Sequence, residues 1–251
     1  MKPVRLHCYL FSLLSCAILF SGCSVDDDAT PEPTGKISGR AVVRNEYGEV
    51  QDPSSLVLSV ENTEIKTSPD VGGLYTLKFG SLPSGTYDLK ISTPGFIDGY
   101  RREWYYTRGE PYAMDIIASK APSQYFVAPT LSLPVTNGYA HRLFLSARLS
   151  APIPAGKMLK AQVFIGKTPN VSATNYIAAG EFNLYREEVS LELLSTMDFK
   201  SRTGIKTGET IYVVAYTDAA VPVGYSVPGS NVQVPTSMNT NHAVVLPFVM
   251  P

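Results

Sequence analysis

Two turn-and-strand units follow each other closely in the first half of this chain, and they leave little choice of fold. The first is Asp70-Val71-Gly72-Gly73-Leu74-Tyr75-Thr76-Leu77, the second Leu82-Pro83-Ser84-Gly85-Thr86-Tyr87-Asp88-Leu89-Lys90-Ile91. In each, residues that favour a tight turn lead into strict alternation. Asp70 and the glycine pair suit a turn where positive φ costs little. Tyr75 and Leu77 then share one face of a strand, as do Tyr87, Leu89 and Ile91. The same grammar recurs along all 251 residues, which carry 19 Gly and 19 Pro. That density of breakers would interrupt a helical bundle at every turn, so an all-β fold built of short strands is expected.

Further strands are predicted at 37–43, 56–60, 125–131, 142–149, 159–165, 189–193, 208–216 and 243–248, with a helical turn within 194–204. Ala121-Pro122-Ser123 breaks the pattern. The expected layout is a leader at 1–22, a tether at 23–35, one β-sandwich at 36–120 and a second at 121–251.

The leader is read from charge and length. Lys2 and Arg5 precede an apolar run from Cys8 to Phe20. That run is shorter than the roughly 20 residues a bilayer-spanning helix needs, and it suits a secretory signal. It ends in Leu19-Phe20-Ser21-Gly22-Cys23, which resembles the bacterial lipobox, with Phe20 where Leu is usual. The small residues before the cysteine let the backbone fit a peptidase, and the thiol accepts the diacylglycerol. Of the 3 cysteines, Cys8 and Cys16 leave with the leader, so Cys23 has no internal partner and lipid attachment is its expected use. Asp26-Asp27-Asp28 beside it resembles the surface-export signal of Bacteroidetes-type lipoproteins, and is equally a solvated tether.

Asp70-x-x-Gly73-x-Tyr75 followed by Leu82-Pro83-x-Gly85-x-Tyr87 resembles the carboxypeptidase regulatory-like, or transthyretin-like, sandwich. Ile205-Lys206-Thr207-Gly208-Glu209-Thr210-Ile211-Tyr212 resembles the entry to the sixth strand of fibronectin type III domains. There the tyrosine is buried and its hydroxyl pins nearby backbone. The whole order resembles a family of surface lipoproteins of unknown function often associated with starch-utilisation-type glycan uptake systems. The resemblance implies an outer-membrane location facing the exterior, a membrane held through lipid, and carbohydrate or outer-membrane uptake proteins as partners. It also implies a non-catalytic role. A structural or adhesive subunit is the alternative, and a hydrolase the third.

The residues bring forward little chemistry. Lys+Arg is 21 and Asp+Glu 22, a net charge of -1, so no positive field gathers nucleic acid. His141 and His242 stand far apart without zinc spacing, and no nucleophile elbow or phosphate loop is present. No cofactor or metal is expected. One segment stands out: Gly95 to Tyr112 holds the only Trp beside four Tyr and three Arg. Tyr100, Arg102, Trp104, Tyr105, Tyr106 and Arg108 are the candidate contacts. Flat rings stack on sugars and arginine hydrogen-bonds their hydroxyls, but the same mixture suits a protein interface. It suits equally a hairpin whose rings pack inward.

Overall fold

The computed structural model describes residues 35–134, 142–230 and 232–251. The expected leader, Cys23, residues 24–34 of the expected tether and His141 lie outside these residues, whereas Gly35, expected as the end of the tether, is buried against Tyr106 and accepts from the Phe79 N–H at 3.0 Å. The chain is all-β, with more than one β-domain and one short helix among the described residues. No described helix is long and apolar enough to cross a membrane.

The first half comprises β1 (Lys36–Arg44), β2 (Val50–Gln51), β3 (Val57–Val60), β4 (Lys66–Thr67), β5 (Leu74–Lys78), β6 (Gly85–Ser92), β7 (Gly99–Tyr106), β8 (Pro111–Ala113) and β9 (Ile116–Ser119). One sheet centres on β1, which pairs antiparallel with β2 and β5 and parallel with β8 and β9. The other runs β4-β3-β6-β7. Between them Ile37, Leu56, Leu58, Leu77, Phe79, Leu89 and Tyr106 are buried. Gly39 is needed where it stands, because a Cβ there would strike the Met114 carbonyl where the chain between β8 and β9 runs alongside β1. The Asp70 turn forms as its residues predict: the carboxylate accepts from the backbone N–H of Gly72 and of Leu74, both at 2.9 Å, and Gly73 has φ +85°.

The second half comprises β10 (Phe126–Ser132), β11 (Arg142–Leu149), β12 (Leu159–Gly166), β13 (Ala178–Leu184), β14 (Glu188–Ser195), α1 (Thr196–Thr203), β15 (Thr210–Asp218), β16 (Gly224–Ser226), β17 (Gln233–Pro235), β18 (Met238–Asn239) and β19 (Val245–Val249). A three-stranded sheet β10-β11-β14 faces a sheet ordered β13-β12-β15, with β18 and β19 both pairing β15. Leu143, Leu145, Leu159, Val163, Ile211 and Val213 fill the space between. Alternation along β15 sends Ile211 and Val213 into this core. Tyr212, Val214 and Tyr216 go to the opposite face, against Phe164, Val171 and Met238. Tyr212 is therefore not the buried corner tyrosine expected from Gly208-x-x-Ile211-Tyr212. Its hydroxyl has no hydrogen-bond partner among the described residues, because the residue on the core face is Ile211.

The halves meet through specific bonds. Gln124, in the link between β9 and β10, donates to the Tyr47 hydroxyl at 2.8 Å. Its carbonyl accepts from Thr217 at 2.5 Å and from Asn239 at 3.0 Å. The Ala220 N–H donates to the Glu46 carbonyl at 2.9 Å, and Lys157 pairs with Glu49. Tyr225 of the β16–β17 hairpin meets Tyr100 of β7 edge-on, with centroids 5.3 Å apart.

Candidate functional site

The aromatic segment becomes β7, and a bulge decides what it presents. In the antiparallel pairing with β6, Tyr87 sits opposite Trp104 and Leu89 opposite Arg101. Two steps along β6 thus match three along β7, so Arg102 and Glu103 together face Asp88. Glu103 takes φ +50°, a left-handed conformation that costs a non-glycine residue about 1 kcal/mol. Asp88 compensates: one carboxylate oxygen accepts the Glu103 N–H at 2.7 Å, the other the Arg102 guanidinium at 2.6 Å.

Simple alternation would place Tyr100, Arg102, Trp104 and Tyr106 on one face. The bulge resets the phase. Tyr100 and Arg102 stay on the outer face with Lys90 and Asp88, while Trp104 and Tyr106 turn inward with Tyr87 and Gly85. Tyr106 is fully buried, its ring 4.4 Å from that of Phe79. Trp104 is half-buried, stacked on Phe79 at 5.4 Å and on Tyr106 at 5.8 Å, with Tyr112 edge-on at 5.0 Å. Tyr105 points outward and is 61% exposed. The expected set of contacts therefore divides. Tyr106 and Trp104 belong to the core of the first domain, because their rings complete the cluster around Phe79, and they do not form a flat exposed platform with Tyr105. Arg108 is exposed, its backbone N–H bonded to Ser84 at 2.9 Å.

On the outer face, Arg102 organises its neighbours. Its Nη1 donates to Glu61 at 2.7 Å and to Asp88 at 2.6 Å. Its guanidinium lies 3.7 Å from the centre of the Tyr100 ring and 5.9 Å from that of Tyr225. The Glu103 N–H, followed by the Arg102 charge, holds the Asp88 carboxyl below the usual carboxylate range. Lys90 and Asp98 close the turn beside them at 2.7 Å. A shallow depression of about 370 Å³ opens here, lined by Glu61, Asn62, Thr63, Thr86, Tyr87 and Asp88. Thr86, which lines the depression, pairs with Tyr105 across the strands, so the exposed Tyr105 neighbours the depression without lining it. Glu61, Asn62 and Thr63 carry no sequence motif. They reach the site because β3 pairs with β6 in the register Val60 opposite Leu89.

An ionised carboxylate, an amide, two hydroxyls and a flat ring can accept and donate to a polyhydroxylated ligand. Among the described residues no three His, Cys, Asp or Glu gather as metal ligands would. His242 has φ +61° and stacks on Tyr125, with ring centroids 4.1 Å apart.

The architecture defines an all-β protein of more than one β-domain. No family model matches the chain, and no curated protein matches it. Solved structures do resemble it at low sequence identity. A DUF3823 family protein from Parabacteroides merdae is 14% identical with a TM-score of 0.29, over 82% of this chain and 98% of that one. A candidate carbohydrate-binding protein from Bacteroides uniformis is 14% identical with a TM-score of 0.33, over 86% and 100%. A DUF3823 family protein from Bacteroides ovatus is 13% identical with a TM-score of 0.29, over 87% and 100%.

Proposed function

We propose that this chain is a lipid-anchored protein of the outer membrane that captures carbohydrate for an uptake system without transforming it. The observation that carries the reading is the outer face of β6 and β7. There the exposed Tyr105 neighbours a polar depression whose two carboxylates are held in place by Arg102. Stacking on one ring with a few hydrogen bonds gives weak binding, which suffices for a protein concentrated on a surface. The anchor is Cys23, and the segment 24–34 is the tether.

The reading is of capture without catalysis. Glycoside hydrolysis needs one carboxyl group that stays protonated at working pH, set against a second, ionised one. Asp88 is pulled the other way by the Glu103 N–H and Arg102, so it serves as an acceptor rather than an acid.

We read the first domain as transthyretin-like and the second as fibronectin type III-like. Support for the second comes from the three-stranded sheet β10-β11-β14 set against β13-β12-β15-β19.

The test is a glycan-array screen of the chain carrying Cys23→Ser, followed by titration of any sugar it retains. Tyr105→Ala and Asp88→Ala are each expected to weaken binding about tenfold. If both variants keep wild-type affinity for the same sugars, this face is not the site.

A further inference from the structure

The second domain holds a cleft of its own, made by a run of small residues. β13 begins Ala178-Ala179-Gly180, and in its register with β12 Ala178 faces Ile165 and Gly180 faces Val163. Both small residues lie on the side facing the other sheet, where side chains of ordinary size would cover those two apolar partners. The space left over is about 370 Å³, floored by Val163 and Ile165 and walled by Phe182, Leu193 and Phe199. Two opposite charges stand at its rim, Asp198 and Arg202, one turn apart on α1. Neither side chain has a hydrogen-bond or ion-pair partner among the described residues. The hydroxyl of Ser195, which also lines the cleft, leaves the N-cap bond of α1 unmade.

We propose that this cleft binds a small zwitterion with an apolar side group, an apolar α-amino acid being the simplest member of the class. The volume lies in the range of small-molecule sites, roughly 300–1,000 Å³. The apolar interior disfavours a sugar, whose hydroxyls would lose water without finding partners there. It accepts an alkyl or aryl group instead. Residues four apart on a helix are neighbours, about 5–6 Å between Cβ atoms. A ligand's adjacent carboxylate and ammonium therefore reach Arg202 and Asp198 together, with the Ser195 hydroxyl, three residues before Asp198, as a further acceptor for the ammonium. A guanidinium grips a carboxylate through two parallel bonds, and this fixes which end of the ligand lies at which residue. The site draws on no residue of the carbohydrate face, so either reading can fail alone.

Calorimetric titration of the full chain carrying Cys23→Ser tests this with L-phenylalanine, phenethylamine and 3-phenylpropanoate. L-Phenylalanine is expected to bind saturably, and each analogue, lacking one charge, about tenfold more weakly. Arg202→Gln should abolish the preference over phenethylamine, and Asp198→Asn the preference over 3-phenylpropanoate. Both residues are exposed, so thermal unfolding should be unchanged by either substitution. The proposal is overturned if neither L-phenylalanine nor L-leucine binds saturably, if the three ligands bind equally, or if the rim variants bind L-phenylalanine as the wild type does.

Discussion

Trp104 and Tyr105 are neighbours in sequence with opposite fates. Trp104 completes the ring cluster of Phe79, Tyr106 and Tyr112, while Tyr105 is mostly in water. Truncating a packed aromatic removes its buried area and leaves a cavity, whereas an exposed ring forfeits little. Trp104→Ala is therefore expected to lower unfolding free energy by about 3 kcal/mol. Tyr105→Ala should change it by no more than about 0.5 kcal/mol. Urea denaturation followed by circular dichroism separates the two, and equal losses would mean that the rings share one environment. Sequence alone offers both as contacts, because residue type does not report which face a strand turns to solvent.

The β7 bulge carries the logic at the level of the element. Strain at Glu103 is offset by the bond from its N–H to Asp88, which also holds that carboxyl below the usual carboxylate range. A carboxylate whose pKa is lowered on folding stabilises the fold above its unfolded value, about 3.9, and that contribution fades as pH falls through the lower, folded value. Asp88→Asn keeps an acceptor for the N–H but loses the charge. At neutral pH the variant should be less stable than wild type by under about 1 kcal/mol, as befits a partly buried pair that solvent still screens. The difference should shrink as pH drops below about 4. Denaturant midpoints across pH 2.5 to 7 check it; a difference that grows in acid would reverse the assignment. No propensity rule announces this bulge, since Arg102-Glu103 contains no glycine and its register is set from β6.

Across the whole molecule, the two halves are joined by buried polar groups rather than by a loose linker. Gln124 donates to the Tyr47 hydroxyl of the first half while its carbonyl accepts from Thr217 and Asn239 of the second, and the Ala220 N–H donates to the Glu46 carbonyl. Within the second half, Asp218 is fully buried. Asp218 receives hydrogen bonds from Ser237 at 2.6 Å, from the Ala219 N–H at 2.8 Å and from Gln162 at 3.2 Å, yet burial pushes its carboxyl up from the ordinary range. Unfolding either half exposes the groups that the other keeps paired. Calorimetry should thus record one transition, with calorimetric and van't Hoff enthalpies in agreement. Two separated peaks would mean that the halves fold independently.

Much of the architecture was legible from local residues. The Asp70 turn and the alternation of 142–149 and 159–165 depend on neighbours in sequence, and each appears close to where its pattern lies. The helix needed only Gly204, which takes φ +70° at its end. β13 gives no strand signal at its start, because Ala-Ala-Gly lacks the branched and aromatic side chains that mark strands. Tyr212 was misplaced because one residue of register exchanges core for surface. The candidate site combines residues from β6, β7 and the loop after β3, which are distant in sequence and joined only by strand pairing. Turns and strands answer to their own residues. Which side chains share a face, and which meet across a cleft, is set by register and bulges, and those exist only once the sheets have formed.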